Sequence, residues 1–410
     1  MYRLTNLARV AALALVAATS ACSSDRVVLG SNPPSGGEIF KSYVALGNSL
    51  TAGYQSGGIN DSTQRQSYAR LIAIRMGTQY HYASLALPGC PPPTTNFQTG
   101  ARLGGSSAPP CALRTSSSIT DVLNNVGVPD ARVLDPTSTS SPASNPLTTF
   151  ILGGKTQVQR ALDARPTFVT IWIGNNDVLN GGLLGILTPT PGVSNGIVST
   201  QAQFQASYDL MLKQLLDSMP ALKGVLIGVG QIPVLPLTSS GDLIFKSPQI
   251  QAVINAVAGK PVLINANCNN STAFITTPVI LPRIKAGAYN PQISCVKGVD
   301  PTDPQVGELG VLDDQELMIL TNTINGYNAY IKGKAAAIGF AYHDPTPLFL
   351  SLKGTAASRA FPDYLSATNP FGTAFSLDGV HPSLSGQTIF ANSLITTINA
   401  KYGTSLQPVP

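Results

Sequence analysis

The chain has 410 residues, 43% of them hydrophobic, which is enough for one large α/β domain or two ordinary ones. Only 11% are charged, against about 25% in an average soluble domain, so uncharged polar residues, Gly and Pro must cover the surface. The net charge is +5, and Lys and Arg do not cluster anywhere in the sequence. This excludes the clustered basic surface of a nucleic-acid-binding protein.

The first 21 residues have the pattern of an export signal. Arg3 and Arg9 precede an apolar run over 10–18, which has about half the length that a bilayer-spanning helix needs. Small residues then lead to Cys22, as at a bacterial lipoprotein cleavage site, although Thr19 stands where Leu is usual. We predict a signal peptide (1–21), acylation of Cys22 that anchors the protein to a membrane of the bacterial cell envelope, and a flexible tether (22–38). A plain secretory signal, which releases a soluble product, is the alternative.

Four further cysteines, Cys90, Cys111, Cys268 and Cys295, permit three disulfide pairings. Export favours their oxidation, and closeness in sequence favours Cys90–Cys111 and Cys268–Cys295. Each pair closes a loop of about 20 to 30 residues, which the chain-entropy estimate values at about 3 kcal/mol. The spacing argues against a metal site, because the chain has no CxxC pair and no HExxH helix.

Short apolar runs alternate with amphipathic stretches in the rest of the chain, which is typical of a parallel sheet flanked by helices. The β-branched run over 167–173 is typical of a central strand that is buried on both faces. The predicted strands are 42–46, 80–85, 167–173, 225–229 and 340–343. The predicted helices are 68–76, 157–164, 201–219, 315–337 and 385–402. We therefore expect one α/β domain over 39–404.

Three long polar segments rich in Pro and Gly interrupt this pattern, at about 88–150, 178–200 and 236–312. Loops of this length inside a compact domain are usually functional or carry their own structure. They follow predicted strand ends, where ligands bind in open α/β sheets. We expect these insertions to form walls and lids of a substrate cleft.

The chain has three histidines, and one of them suits a catalytic base. His381 follows Asp378 by three residues in the segment LDGVHP, so the carboxylate can orient the imidazole and stabilise its protonated form. His81 lies between two tyrosines in a predicted strand and fits a structural role. His343, which precedes Asp344 at the end of a predicted strand, is the alternative base.

Ser49 is the candidate nucleophile. A serine hydroxyl attacks well only when a base takes its proton and donors stabilise the resulting oxyanion. Ser49 lies in LGNSLTAG directly after the strand 42–46, where a strand-to-helix turn exposes the hydroxyl and flanking glycines permit the turn. On local grounds alone, an ordinary helix N-cap or turn serine is the alternative.

Two further strand ends offer oxyanion donors. The segment GNND over 174–177 follows the strand 167–173, and an Asn side chain there can donate to an oxyanion, although such a cluster also makes simple loops. Gly89 in LPGC follows the strand 80–85 and offers a backbone N–H with no side chain in the way. An ordinary turn glycine is the alternative for Gly89.

Together these segments resemble the SGNH, or GDSL-type, hydrolase family, over about residues 41–402. The matching residues, in the family's order, are Ser49, Gly89, Asn176, and Asp378 with His381. The first segment departs from the name-giving motif, because Asn48 stands where Asp is usual. That Asp is not the nucleophile's partner in the family, so we expect an altered turn and not a loss of activity.

The resemblance implies a three-layer α/β/α fold with a five-stranded parallel sheet in flavodoxin-like order. It implies a serine esterase or lipase in which Ser49 attacks an ester carbonyl, His381 transfers the proton and Asp378 holds the ring. It further implies that the backbone N–H groups of Ser49 and Gly89 and the amide of Asn176 form the oxyanion hole, and that the reaction needs no metal or organic cofactor. Family members cleave lipid, acetyl-glycan, aryl and thioesters, which leaves the substrate open.

Two alternatives of other classes remain at this stage. The first is a non-catalytic surface lipoprotein that binds glycans or lipids on the same scaffold, because a fold does not fix a function. Asn48 is the residue that keeps it open. The second is an adhesion or transporter-associated module built from the insertions.

Overall fold

The computed structural model describes residues 26–28, 37–105, 122–138, 146–187, 198–296 and 309–410. The strands in these ranges are β1 (Arg26–Val28), β2 (Tyr43–Gly47), β3 (Tyr80–Tyr82), β4 (Phe168–Trp172), β5 (Lys223–Ile227), β6 (Ser239–Ser240), β7 (Leu263–Ile264), β8 (Phe274–Ile275), β9 (Gln292–Ile293), β10 (Val311–Leu312) and β11 (Ala341–His343). The helices are α1 (Ser49–Ala52), α2 (Asp61–Gln64), α3 (Tyr68–Met76), α4 (Pro146–Leu152), α5 (Gln157–Asp163), α6 (Leu179–Leu184), α7 (Gln201–Ser218), α8 (Gly241–Lys246), α9 (Pro248–Ala258), α10 (Thr277–Lys285), α11 (Asp314–Ile338), α12 (Thr346–Leu352) and α13 (Leu384–Tyr402).

The central feature is a parallel sheet with the strand order β11-β5-β4-β2. Every residue of β4 is buried, as its β-branched and aromatic composition predicts. Val169 and Ile171 pack on one face with α5, α7 and α11. Phe168 and Trp172 pack on the other face with α3 and α13. Two apolar cores therefore hold helices against both faces of the sheet.

The prediction of a five-stranded parallel sheet is wrong, because this sheet has four strands. β3 pairs antiparallel with β1, which falls inside the predicted tether 22–38. The segment around Asn124 takes the place beside β2, where Ala45 exchanges backbone hydrogen bonds with Asn124 and Val126. On its other side, the backbone N–H groups of Asn124 and Asn125 donate to the carbonyl of His81. β3 is thus separated from β2 by an irregular segment that uses the hydrogen bonds of both.

Capping residues set the ends of α11 and α13, two long helices that pack on opposite faces of the sheet. The Asp313 side chain accepts from the backbone N–H of Glu316, and the Glu316 side chain accepts from that of Asp313, which begins α11. Gly339, in the left-handed region, ends it. Ser383 caps the start of α13 just after His381, which fixes where that helix begins relative to the histidine.

The described part of the insertion 236–312 has an apolar core of its own. Helices α8, α9 and α10 pack around buried residues such as Ile254, Leu281 and Ile293. A disulfide joins Cys268 and Cys295 inside this core. Cys90 is also disulfide-bonded, and Cys111, its predicted partner, lies outside the described residues.

The predicted signal peptide 1–21 and the proposed acylation site Cys22 also lie outside the described residues. Within the described ranges, no helix combines the length and the apolar character that crossing a membrane requires. The same ranges contain no group of three or more His, Cys, Asp or Glu side chains placed to hold a metal ion.

Candidate active site

Parallel strands bring distant polar residues to one edge of the sheet, because their carboxyl ends all lie on the same side. Ser49 follows β2, the segment 174–177 follows β4, and the segment 230–235 follows β5. Gly47 makes the turn before Ser49 possible. A Cβ at Gly47 would lie 2.5 Å from the backbone oxygen of Trp172, so only glycine allows β2 and β4 to run this close.

Ser49, His381 and Asp378 form a continuous hydrogen-bonded chain. Ser49 Oγ lies 2.8 Å from His381 Nε2. His381 Nδ1 lies 2.9 Å from Asp378 Oδ2. The histidine and aspartate side chains are 13% and 19% exposed, so the group is shielded but open to a substrate. The structure therefore brings together the three residues that the sequence singled out, across 332 positions of chain.

Asp378 is held as a carboxylate. Burial favours its neutral form, but the charge of the His381 ring and hydrogen bonds from His381 and Val380 outweigh burial and lower the pKa of Asp378 to about 2. An ionised carboxylate only accepts hydrogen bonds, so the proton between the two side chains belongs to His381 Nδ1. In the neutral ring, Nε2 is then the acceptor and faces the Ser49 hydroxyl.

A tight turn over 55–58 supports Asp378 from the other side. Gln55 and Gly58 exchange two backbone hydrogen bonds, and Ser56 and Gly57 both have positive φ angles of 54° and 67°. This conformation aims the Gly57 N–H at Asp378 Oδ2, at 2.8 Å. The sequence analysis did not identify this turn. Its only local signal is the run SGG over 56–58.

The turn is also bonded to the residues just before Asp378. The backbone N–H of Ser56 donates to Ser376 Oγ at 2.8 Å, and the backbone N–H of Leu377 donates to Ser56 Oγ at 3.1 Å. The ring of Tyr54 lies 4.9 Å from that of His381, centroid to centroid. The segment that carries Asp378 is therefore fixed to the loop that follows α1.

A cleft of about 620 Å³, open solvent at its mouth included, begins at Ser49. Its polar lining includes Ser49, His381 and the two asparagines Asn175 and Asn176. Most other lining residues are apolar, and they include Leu179, Ile232, Val234, Leu235, Phe349 and Phe375.

Within the described part of the chain, the predicted insertions contribute little to the lining of this cleft, and their role as walls and lids stays a prediction. Leu179 alone among the described lining residues belongs to a predicted insertion. The insertion 236–312 instead buries most of its apolar residues in its own core. The cleft walls come mainly from short segments after the strands, from α12 and from the segment 375–382 that precedes α13.

Two of the three predicted oxyanion donors belong to residues that line the cleft. The Ser49 backbone N–H belongs to the first turn of α1, where the helix itself supplies no acceptor. Asn176 lines the cleft, and its Nδ2 donates one hydrogen bond to the backbone oxygen of Ala131 at 2.9 Å. An amide nitrogen has two hydrogens, so this bond orients Asn176 and leaves a second hydrogen to donate.

Gly89 is not among the described residues that line the cleft. The segment around it packs against Ile59 and Asn60, since Cys90 N–H donates to the Ile59 carbonyl and Asn60 Nδ2 donates to the Pro88 carbonyl. With φ of 125° and a would-be Cβ 2.6 Å from the Ile59 oxygen, the position requires glycine. These contacts explain structurally why position 89 is a glycine. The role of Gly89 as an oxyanion donor stays a prediction.

Asn48 fills the place of the family's usual Asp with two contacts. Its Oδ1 accepts from the backbone N–H of Leu50 at 3.0 Å, which caps α1. Its Nδ2 lies 3.4 Å from Asn175 Oδ1. A carboxylate could make the first contact but could not donate in the second, so Asn48 links the nucleophile turn to the end of β4.

The remaining polar residues of the sequence analysis are structural in their contacts. His343 is buried, its Nδ1 lies 2.8 Å from Thr397 Oγ1, and its ring packs on Phe390, all on the α13 side. His81 lies in β3, paired with Val27. Asp177 accepts hydrogen bonds from the Val133 backbone N–H and from the Ser199 hydroxyl.

Solved structures of esterases and lipases resemble this chain. One is a catalytic mutant of an acetylxylan esterase from Geobacillus stearothermophilus, with 12% identity, coverage of 87% of this chain and 94% of that chain, and a TM-score of 0.37. Another is an extracellular lipase from Streptomyces rimosus, with 14% identity, coverage of 87% and 98%, and a TM-score of 0.32. Similarity at this level says nothing about the substrate of this chain.

No curated protein matches the sequence significantly. The family model for GDSL-like Lipase/Acylhydrolase matches residues 43–394, which include the whole parallel sheet and every residue of the Ser49, His381 and Asp378 chain. The protein therefore belongs to the GDSL-like lipase/acylhydrolase family, whose members are hydrolases of ester bonds.

Proposed function

We propose that the protein is a serine esterase that cleaves carboxylic esters through an acyl-enzyme on Ser49. The observation that carries the proposal is the hydrogen-bonded chain from Ser49 Oγ through both nitrogens of His381 to Asp378, at 2.8 and 2.9 Å. A base within hydrogen-bond reach of the nucleophile, itself oriented by a carboxylate, is the arrangement that activates a serine.

The reaction takes two steps. Ser49 Oγ attacks the ester carbonyl while His381 Nε2 accepts the hydroxyl proton, and Asp378 stabilises the protonated ring. The tetrahedral intermediate collapses, the bond to the alcohol oxygen breaks, and His381 gives that oxygen the proton. Water then attacks the acyl-enzyme with the same proton transfers, and the carboxylic acid leaves Ser49 free.

The oxyanion of each tetrahedral intermediate needs preorganised donors. We assign this role to the backbone N–H of Ser49 and the Nδ2 of Asn176, which both belong to cleft-lining residues. Only the family resemblance supports Gly89 as the third donor. Loss of one such donor lowers kcat by about 10²- to 10³-fold in other enzymes.

The test is hydrolysis of p-nitrophenyl esters by the mature protein and by Ser49→Ala. We expect the substitution to remove nearly all activity, while Ser385→Ala, an exposed serine in the first turn of α13, keeps the wild-type rate. A fluorophosphonate probe is expected to label the wild type and Ser385→Ala but not Ser49→Ala. Equal rates in wild type and Ser49→Ala would refute the proposal, and an unlabelled, inactive wild type would favour a binding protein on this scaffold.

We also propose that the enzyme is exported and anchored through acylated Cys22, on the support of the signal-like sequence alone. Cells that express the full chain are expected to incorporate labelled palmitate into the wild type and not into Cys22→Ser. The variant should move from the membrane fraction to the soluble envelope fraction. An unlabelled wild type in the soluble fraction would contradict the anchor.

A further inference from the structure

The polar groups of the cleft lie near the nucleophile, and several of them already bond other protein groups. Ser49 and His381 bond each other, Asn48 Nδ2 contacts Asn175 Oδ1, and Asn176 Nδ2 is bonded to the Ala131 carbonyl. Gln231 uses its Nε2 on Asn325 Oδ1 at 3.0 Å. The rest of the described lining is apolar, so it offers a substrate chain burial and few hydrogen bonds.

Gly230 lines the cleft, and neither packing nor backbone conformation requires a glycine at this position. The nearest atom to a Cβ built at Gly230 is Asn175 Nδ2 at 3.8 Å, and its φ lies outside the range that strains other residues. Nearby glycines differ. A Cβ at Gly228 would lie 2.8 Å from Tyr342 Oη, and one at Gly174 would lie 2.7 Å from the Phe204 ring. Those two are required by packing, whereas Gly230 leaves open space in the cleft.

We propose that this open space takes an alkyl chain, so that the enzyme prefers esters of acids longer than acetic acid, with Gly230 as the residue that sets the length. The inference rests on the proposed esterase function. Each additional methylene that enters the apolar cleft is expected to raise kcat/KM by about fourfold, the value of burying one CH₂ group.

The chain in the cleft belongs to the acyl part of the ester and not to the alcohol. The alcohol oxygen must receive its proton from His381 Nε2, so the alcohol leaves next to that ring. The space at Gly230 adjoins the Asn175 amide. That places it by the β4 end, together with Asn176, the proposed donor to the carbonyl oxygen of the acyl group.

The experiment compares p-nitrophenyl acetate, butyrate and octanoate on the wild type, Gly230→Leu and Gly230→Ala. We expect the wild type to favour octanoate over acetate by at least about tenfold in kcat/KM. Gly230→Leu is expected to remove most of that preference, because it should lower kcat/KM for octanoate about tenfold or more relative to its effect on kcat/KM for acetate. Gly230→Ala, whose Cβ the space admits without a clash, should fall between the two.

Gly333→Leu is the matched control. Gly333 is exposed on α11, its would-be Cβ meets nothing within 4 Å, and leucine is a better helix former than glycine. It is expected to keep the wild-type preference. Octyl acetate and ethyl acetate form the second arm, in which the chain length is on the alcohol side and Gly230→Leu should have the same small effect on both.

The outcomes separate the two proposals. If Ser49→Ala abolishes hydrolysis but the wild type prefers acetate, or Gly230→Leu slows acetate and octanoate equally, the esterase stands and the chain-length inference is wrong. A Gly230→Leu effect confined to octyl acetate would assign the cleft to the alcohol and overturn the acyl assignment. If Ser49→Ala is as active as the wild type, both proposals fail together.

Discussion

Gly57 and Asp378 lie 321 positions apart, yet the Gly57 backbone N–H is 2.8 Å from Asp378 Oδ2. The same oxygen receives His381 Nδ1, so two donors converge on one atom. The remaining oxygen, Oδ1, accepts the backbone N–H groups of Val380 and His381. The carboxylate is thus fixed at both oxygens, and the turn over 55–58 is a positioning element for the His381 ring.

Removal of the hydroxyls that fasten this turn should lower turnover without weakening substrate binding. The double variant Ser56→Ala, Ser376→Ala loses both of these hydrogen bonds between the turn and the segment before Asp378. We expect kcat to fall by up to about 30-fold, the equivalent of two lost hydrogen bonds of about 1 kcal/mol each, with KM unchanged. Steady-state kinetics measure this split.

Ser405→Ala, at an exposed position after α13, is the control and should behave as the wild type. If the double variant changes only the unfolding midpoint in urea and leaves kcat intact, the turn contributes stability and does not position Asp378.

Asp378→Asn should be far more damaging. The amide can donate to His381 Nδ1, which favours the ring tautomer that has its proton on Nε2 and cannot accept from Ser49. We expect kcat to fall by about 10³- to 10⁴-fold, with little change in KM. Asp217→Asn, at an exposed ion pair with Lys213, is the control. A loss below tenfold would mean that Asp378 does not orient the base.

The two neighbouring asparagines of the segment 174–177 should respond differently. We expect Asn176→Ala to lower kcat by about 10²- to 10³-fold, because its Nδ2 has a hydrogen left for the oxyanion. Asn175→Ala should lower kcat less, because the Asn175 side chain bonds Asn48 and no contact aims its amide at Ser49. The kcat/KM values for p-nitrophenyl butyrate decide, and the reverse ranking would assign the donor role to Asn175.

His343 predicts a pH dependence of stability. Burial lowers the pKa of His343 from 6.5 to about 4, so the unfolded chain binds this proton at a higher pH than the folded protein does. The contribution of His343 to the free energy of unfolding is therefore fully present above pH 6.5. It is lost as the pH falls toward 4, by on the order of 3 kcal/mol.

Urea unfolding at pH 7, 5 and 4 measures this loss in the wild type and in His343→Leu. The variant should show a shallower decline and keep its esterase rate, because His343 bonds Thr397 and not the nucleophile. The same decline in both proteins would contradict the assignment, and loss of activity in the variant would revive His343 as the base.

Local sequence patterns were sufficient for the elements that carry the site. The apolar runs and amphipathic stretches place β2, β4, β5, β11 and α13 within a few residues, because each is defined by its own burial pattern. Ser49, Asp378 and His381 were identifiable because their chemistry needs a strand-end serine and a closely spaced Asp and His.

Long-range contacts explain what the sequence did not predict. The place of β3 outside the parallel sheet depends on backbone hydrogen bonds to the segment around Asn124, which has no strand-like pattern. The support of Asp378 by Gly57 uses a backbone N–H, which every residue except proline possesses. The room at Gly230 depends on neighbours from other elements. None of these leaves a mark in local composition.

The small sheet β10-β8-β6 brings the two ends of the insertion 236–312 close together. Ser239 and Val311 both pair with Ile275, one from each side, so the departing and returning chain lie two strand spacings, or about 10 Å, apart. About three extended residues bridge that gap. A loop of a few residues could therefore replace the whole folded unit and still join the two ends at their present positions.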